Sequence, residues 1–232
     1  MSILPVLGRP GPQTPVRLVH KHIMQTGSVG YAAGGGLIVT ALSRDITNTV
    51  APQLLSPGLL MGKVTSTGYW TNSIIGVTQA ATLAGATSLT LTAAAATELV
   101  RRNEASGTFA LIGPPTANGT VATQTVTYSS VNTTTGVVTC SAISAATVSG
   151  SFVGGGDGSE VPRSFIGDGY GITLGIDPAN GPTLVEWMYI PREGVYEVAQ
   201  IVNWPTDTSL QQYIRSNLDA TGRNNLLASD TM

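Results

Sequence analysis

The stretch "TQTVTYSSVNTTTGVVTCSAI", residues 123–143, constrains the fold more than any other. Two β-branched runs of alternating polarity flank a polar loop that ends in Gly136, which is the pattern of an antiparallel hairpin. Alternation puts Val126 and Tyr128 on one face. Cys140, the single cysteine, falls at a strand position and reads as a small packed hydrophobe rather than a nucleophile. One cysteine leaves no intrachain disulfide framework.

The neighbouring segments share this style. Residues 79–160 are dominated by Ala, Thr, Ser, Gly and Val. "ATSLTLT" sets Leu89 and Leu91 on one face of a half-buried strand. "GTFALIG" is a further strand, stopped by Pro114 and Pro115. "AAAATELVRRN" is the helical piece, with Thr92 as N-cap and Arg101 and Arg102 at the end that favours cations. "SGSFVGGGDGSE" reads as a linker that closes the segment. Residues 79–160 are expected to form an inserted β-hairpin-rich subdomain.

On either side the character changes. "LLMGKVTSTGYW", residues 59–70, predicts a strand pair or a bent strand, with Gly62 and Gly68 at kinks. "RSFIGDGYGITLGI" and "TLVEWMYIPREGVYEVAQIV" predict more strands separated by Gly and Pro turns. Residues 37–78 and 161–203 therefore read as two halves of one β domain. Residues 1–36 carry Pro5, Pro10, Pro12 and Pro15, each lacking an amide donor. That segment reads as an extended N-terminal arm. Residues 204–232 predict a helix and a polar tail. Thr208 and Gln211 make a capping box, Leu210, Tyr213, Ile214 and Leu218 line one face, and Gly222 ends the helix. The expected fold class is mainly β: a small β-barrel or β-sandwich domain with an inserted β-rich subdomain, an extended arm and a short C-terminal helix.

Charged residues make up only 10% of the 232, against roughly 25% in a typical soluble domain. Low charge suits a surface covered by partners, since interface centres are depleted of charge. The net charge of −2 provides no field to draw nucleic acid. No apolar run of about 18 residues exists to cross a membrane. The early prolines interrupt the apolar run that a secretory signal requires.

Reactive chemistry is sparse. His20 and His22 share a face of an extended segment, but no third ligand lies nearby in sequence. Gly62-Lys63 has the wrong upstream glycine spacing for a P-loop, and Val64 stands where the hydroxyl residue belongs. "GGGDGSE" and "GDGYG" lack both the aspartate spacing of an EF-hand and the Rossmann turn. No catalytic residue, cofactor or metal ligand is assigned, and the chain is not expected to be an enzyme. Tyr69, Trp70, Trp187, Tyr189 and Trp204 are either core or interface anchors.

"LLSPGLLMGKVTSTGYW", residues 54–70, together with "GDGYGITL", resembles the head decoration, or capsid cement, proteins of tailed bacteriophages. The likeness rests on a Leu-x-Pro-Gly turn, an apolar run ending in Gly-Lys-Val-Thr, and a Gly-aromatic pair. These fall at Leu55, Pro57, Gly58, Gly62, Lys63, Val64, Thr65, Gly68 and Tyr69. The order of arm and then compact β domain is also similar to that family. The segment from Gly107 to Ala142 looks like the small β modules inserted in phage structural proteins.

The resemblance implies a decoration-type domain on the outer surface of the virion capsid. It implies a homotrimer at local threefold positions, an arm that pairs with the major capsid protein, and a shell held against internal DNA pressure. Neither nucleic acid nor membrane is an expected partner. The arm residues expected to touch the capsid are Leu4, Val6, Leu7, Arg9, Val16, Arg17 and Leu18. Leu59, Leu60, Met61, Tyr69, Trp70 and Trp187 are expected at the subunit or capsid platform. The competing expectation is a receptor- or carbohydrate-binding module of a virion fibre or adhesin, carried by the Thr-rich 79–160 segment.

Overall fold

The computed structural model describes residues 30–31, 36–48, 53–103, 106–167, 172–173, 185–188, 191–219 and 225–229. The chain enters through β1 (Gly30–Tyr31), β2 (Gly36–Val39), β3 (Leu54–Leu55), β4 (Leu60–Lys63) and β5 (Trp70–Asn72). It winds on through β6 (Gly76–Val77), β7 (Ser88–Thr90), α1 (Ala93–Asn103), β8 (Gly107–Gly113), β9 (Ala122–Val131), β10 (Val137–Cys140) and β11 (Phe152–Gly154). It returns through β12 (Ser164–Phe165), β13 (Ile172–Thr173), β14 (Val185–Met188), β15 (Pro191–Glu197), α2 (Thr208–Leu218) and β16 (Asn225–Ser229). The protein is mainly β.

The six-stranded sheet runs β6-β11-β8-β9-β10-β7, with every neighbouring pair antiparallel. It curls until its edges meet. The Gln79 amide donates to the Thr90 carbonyl at 2.8 Å, the Thr92 amide donates to Val77 at 3.0 Å, and Thr78 bridges Leu91. Closure leaves neither edge strand open to pair with another chain. β9 shows the period that drives it: Gln124, Val126 and Tyr128 are buried, while Thr125, Thr127 and Ser129 face water. Phe109 and Tyr128 meet inside with centroids 5.8 Å apart in a tilted pair. Leu89, Leu91, Val138, Cys140 and Val153 fill the same core, which Ala95, Ala96 and Leu99 of α1 join.

The hairpin turn between β9 and β10 uses the residues its sequence offered. Asn132 Oδ1 accepts the amides of Thr134 and Thr135, both at 3.0 Å. Gly136 sits at φ +76°, and a Cβ there would strike the Leu91 carbonyl oxygen. Thr92 caps α1 as expected, accepting the Ala95 amide at 3.3 Å.

The barrel thus lies between residues 76 and 154. Among the described residues the flanking strands build an open five-stranded sheet, β12-β4-β5-β2-β14. Its three central strands precede the barrel in sequence and its two outer strands follow it, and one pair, β2 with β5, is parallel. β13 pairs with β3, and β1 and β16 flank β15. Two expectations change here. "SGSFVGGGDGSE" is not a linker: its "FVG" forms buried β11, hydrogen-bonded between β6 and β8. The polar tail contains β16, which runs parallel to β15 because that partner supplies its backbone bonds.

β8 is buried on both faces. Phe109 and Leu111 point into the barrel, whereas Ala110 and Ile112 pack outward. Outside they meet Phe152, Leu60, Phe165, Tyr196 and the buried face of α2, namely Leu210, Ile214 and Leu218. The barrel wall is therefore the floor on which α2 lies. Asp207, not Thr208, is the N-cap of that helix: its Oδ1 accepts the Ser209 and Leu210 amides at 2.8 and 3.1 Å. Thr208 is engaged elsewhere, with its amide and hydroxyl both donating to Asn118 Oδ1. The Gln211 side chain donates to Pro205 O at 2.9 Å instead of closing the box. Gly222 lies outside the described residues.

Candidate functional site

The β4–β5 hairpin is the centre of the segment that suggested a binding platform. Gly58 makes its entry corner at φ +85°. Its amide donates to Ile166 O at 2.8 Å, and its carbonyl accepts the Val202 amide at 3.0 Å. A Cβ there would collide with the Gln200 carbonyl oxygen. The strands then register Met61 with Asn72 and Lys63 with Trp70.

This corner decides where the expected platform residues go. Leu59, Leu60 and Met61 are buried within the chain, and so is Trp70. Their burial makes them core and removes them from the surface that a partner would touch. Lys63 lies exposed with its ammonium 5.0 Å from the Trp70 ring centroid, covering the indole. Tyr69 remains on the surface, 37% exposed. Trp187 stands in register with Leu37 across β14 and β2, and Leu37 is 43% exposed. The arm residues Leu4, Val6, Leu7, Arg9, Val16, Arg17 and Leu18, and both histidines, lie outside the described residues.

Beneath the hairpin lies a charged cluster on α1. Arg102 is buried; its Nη2 donates to Thr71 Oγ1 at 2.7 Å and to Asn72 Oδ1 at 3.0 Å. Its Nε is 3.4 Å from Glu98 Oε1. Arg101 Nε donates to Glu98 Oε2 at 2.7 Å, and its Nη1 donates to Ala41 O. Burial lowers the Arg102 pKa to about 10, against the pull of Glu98 and Asp157, so it stays cationic at neutral pH. The cluster ties the barrel helix to β5 and to the loop after β2. The glycine-rich loop completes the junction, since the Thr65 amide donates to Asp157 O at 2.9 Å. Sequence reasoning passed over this cluster, although Glu98 and Arg102 show the i, i+4 spacing of a helical ion pair.

A second junction joins the β8–β9 loop to α2. The Asn118 amide donates to Asp207 Oδ2 at 2.9 Å, while its side chain accepts from Thr208. Beside it a cleft of about 330 Å³ lies between the barrel and the start of α2, with Trp204 in its wall. Among the described residues no three of His, Cys, Asp and Glu stand together as a metal site, and no helix is long and apolar enough to cross a membrane. Cys140 packs in the barrel, and burial pushes its thiol pKa up. Comparison with protein-family models, curated proteins and solved structures finds no match.

Proposed function

We propose that this chain is a structural virion protein that binds the outer surface of a phage capsid and stabilises its lattice. The observation that carries the reading is β1. Gly30 pairs with Glu193 and Tyr31 with Pro191, so the proline-bearing stretch before it is tethered to the sheet of β15. A tethered, proline-rich segment can add itself to a neighbour's sheet edge, where backbone bonds supply affinity and side-chain pockets supply selectivity. The ordering cost is met on binding, and repetition over a lattice turns weak single contacts into avidity. The low charge and the exposed Leu37 and Tyr69 suit a covered surface.

The decoration-type domain, the homotrimer and the major capsid protein as partner belong to this proposal. Deleting residues 2–27 is expected to abolish binding to expanded capsids while the remainder keeps its far-UV spectrum and cooperative melting. Undiminished binding without the arm would refute the role given to it. Light scattering on the free chain checks the trimer, with a mass of three chains expected.

A further inference from the structure

We propose that the cleft between the barrel and the start of α2 binds a neutral sugar ring. Its volume of about 330 Å³ lies at the small end of the roughly 300–1,000 Å³ span of ligand sites. Ile74, Val77 and Phe152 from the barrel side and Trp204 and Leu210 from the α2 side form an apolar floor. The Trp204 ring is pinned by the Arg215 guanidinium, which sits 5.6 Å from its centroid. A pinned indole offers a rigid surface for the C–H face of a pyranose at little entropic cost.

The rim supplies what the other edge of a sugar needs. The side chains of Asn203 and Thr206 line the cleft and make no hydrogen bond to another described residue. Thr47 Oγ1 donates to Asp45 at 2.6 Å and Ser149 Oγ donates to Gln79 O at 2.8 Å, which leaves both oxygens able to accept. Asn203 is held at φ +59°, a conformation that costs energy outside glycine and is concentrated at ligand clamps.

Charge settles the ligand class. Among the described residues, Asp207 is the one ionised side chain in the lining. Its Oδ1 is taken by the Ser209 and Leu210 amides and its Oδ2 by the Asn118 amide. These neutral amides leave its negative charge in place, so an anionic ligand would be repelled and meet no cation in the described lining. A cation would have to compete with three amides for the carboxylate oxygens. An apolar floor rimmed mainly by uncharged amide and hydroxyl groups matches a ring that is apolar on its face and hydroxylated at its edge.

The test uses the full chain, free of capsids, so that its result is separate from that of the capsid reading. Glucose, galactose, mannose and N-acetylglucosamine are titrated while backbone amide resonances are followed, with cyclohexanol as a ring bearing a single hydroxyl. At least one sugar is expected to shift amides of residues 203–207 and to bind more tightly than cyclohexanol. Asn203→Gly keeps the left-handed backbone and Thr206→Val keeps the side-chain shape; each is expected to weaken binding about three- to tenfold by loss of one hydrogen bond. Silence with all four sugars, cyclohexanol binding as well as the best sugar, or unchanged binding in both variants would overturn the proposal.

Discussion

Arg102 brings a full positive charge into a site closed to solvent, and only its neighbours make that tolerable. Thr71, Asn72 and Glu98 together answer it, and they come from a strand and a helix that are not adjacent in sequence. Replacing one member of a buried charge group leaves the others uncompensated. Arg102→Met is expected to lower unfolding free energy by about 3 kcal/mol or more in urea titrations. Arg101→Ala, at the partly exposed outer edge of the cluster, is expected to cost about 1 kcal/mol or less. Equal effects of the two would show that burial is not what gives Arg102 its weight. At Gly58 the constraint is steric: φ +85° and the nearby Gln200 carbonyl oxygen exclude any side chain. Proline followed by glycine is a corner that can be read from sequence, whereas the carbonyl that crowds it comes from a residue near 200.

Among the elements, α2 shows how a local pattern can be right in kind and displaced by one residue. Its apolar face of Leu210, Ile214 and Leu218 packs as the 3.6-residue period requires. Its cap moves to Asp207 because Asn118 claims Thr208, and that competition arises 90 residues away. Burial pushes the Asp207 carboxyl up, but the amides of Asn118, Leu210 and Ser209 donating to it hold it below its ordinary value. A depressed carboxylate stabilises the fold above its unfolded pKa of about 3.9, and this contribution is lost as pH falls through the folded value. Asp207→Ala is therefore expected to cost about 1 kcal/mol near neutrality. Asp207→Asn is expected to keep the cap yet flatten the acid limb of a stability-against-pH curve, since its amide does not titrate. β11 makes the opposite point. Glycine and serine around Phe152 and Val153 look like a linker, yet β6 and β8 hold them on both sides. Phe152→Ala is expected to destabilise by about 3–5 kcal/mol, measured by thermal and urea unfolding.

For the whole molecule, the decisive fact is that the barrel and the open sheet share a core through β8, Phe152 and α2. Cut out alone, residues 73–155 would expose Ala110, Ile112 and Phe152 and lose Thr71 and Asn72, the β5 partners of Arg102. The full chain is expected to unfold in one calorimetric transition, and the excised segment to melt at lower temperature and to bind a hydrophobic dye. Two separate transitions in the full chain would show that the shared core does not couple the parts. By itself the sequence determined what depends on neighbours along the chain. Strand alternation in Val126 and Tyr128, the Asn132–Gly136 turn, the Thr92 cap, the apolar stripe of α2 and the low charge are all of that kind. Tertiary structure alone decided that the sheet closes, that "FVG" in its glycine-rich segment is an inner strand, that the tail pairs with β15, and that Leu59–Met61 and Trp70 are core. Those outcomes rest on backbone hydrogen bonds and burial between residues tens of positions apart, and pairing of that range leaves no periodic mark on either partner.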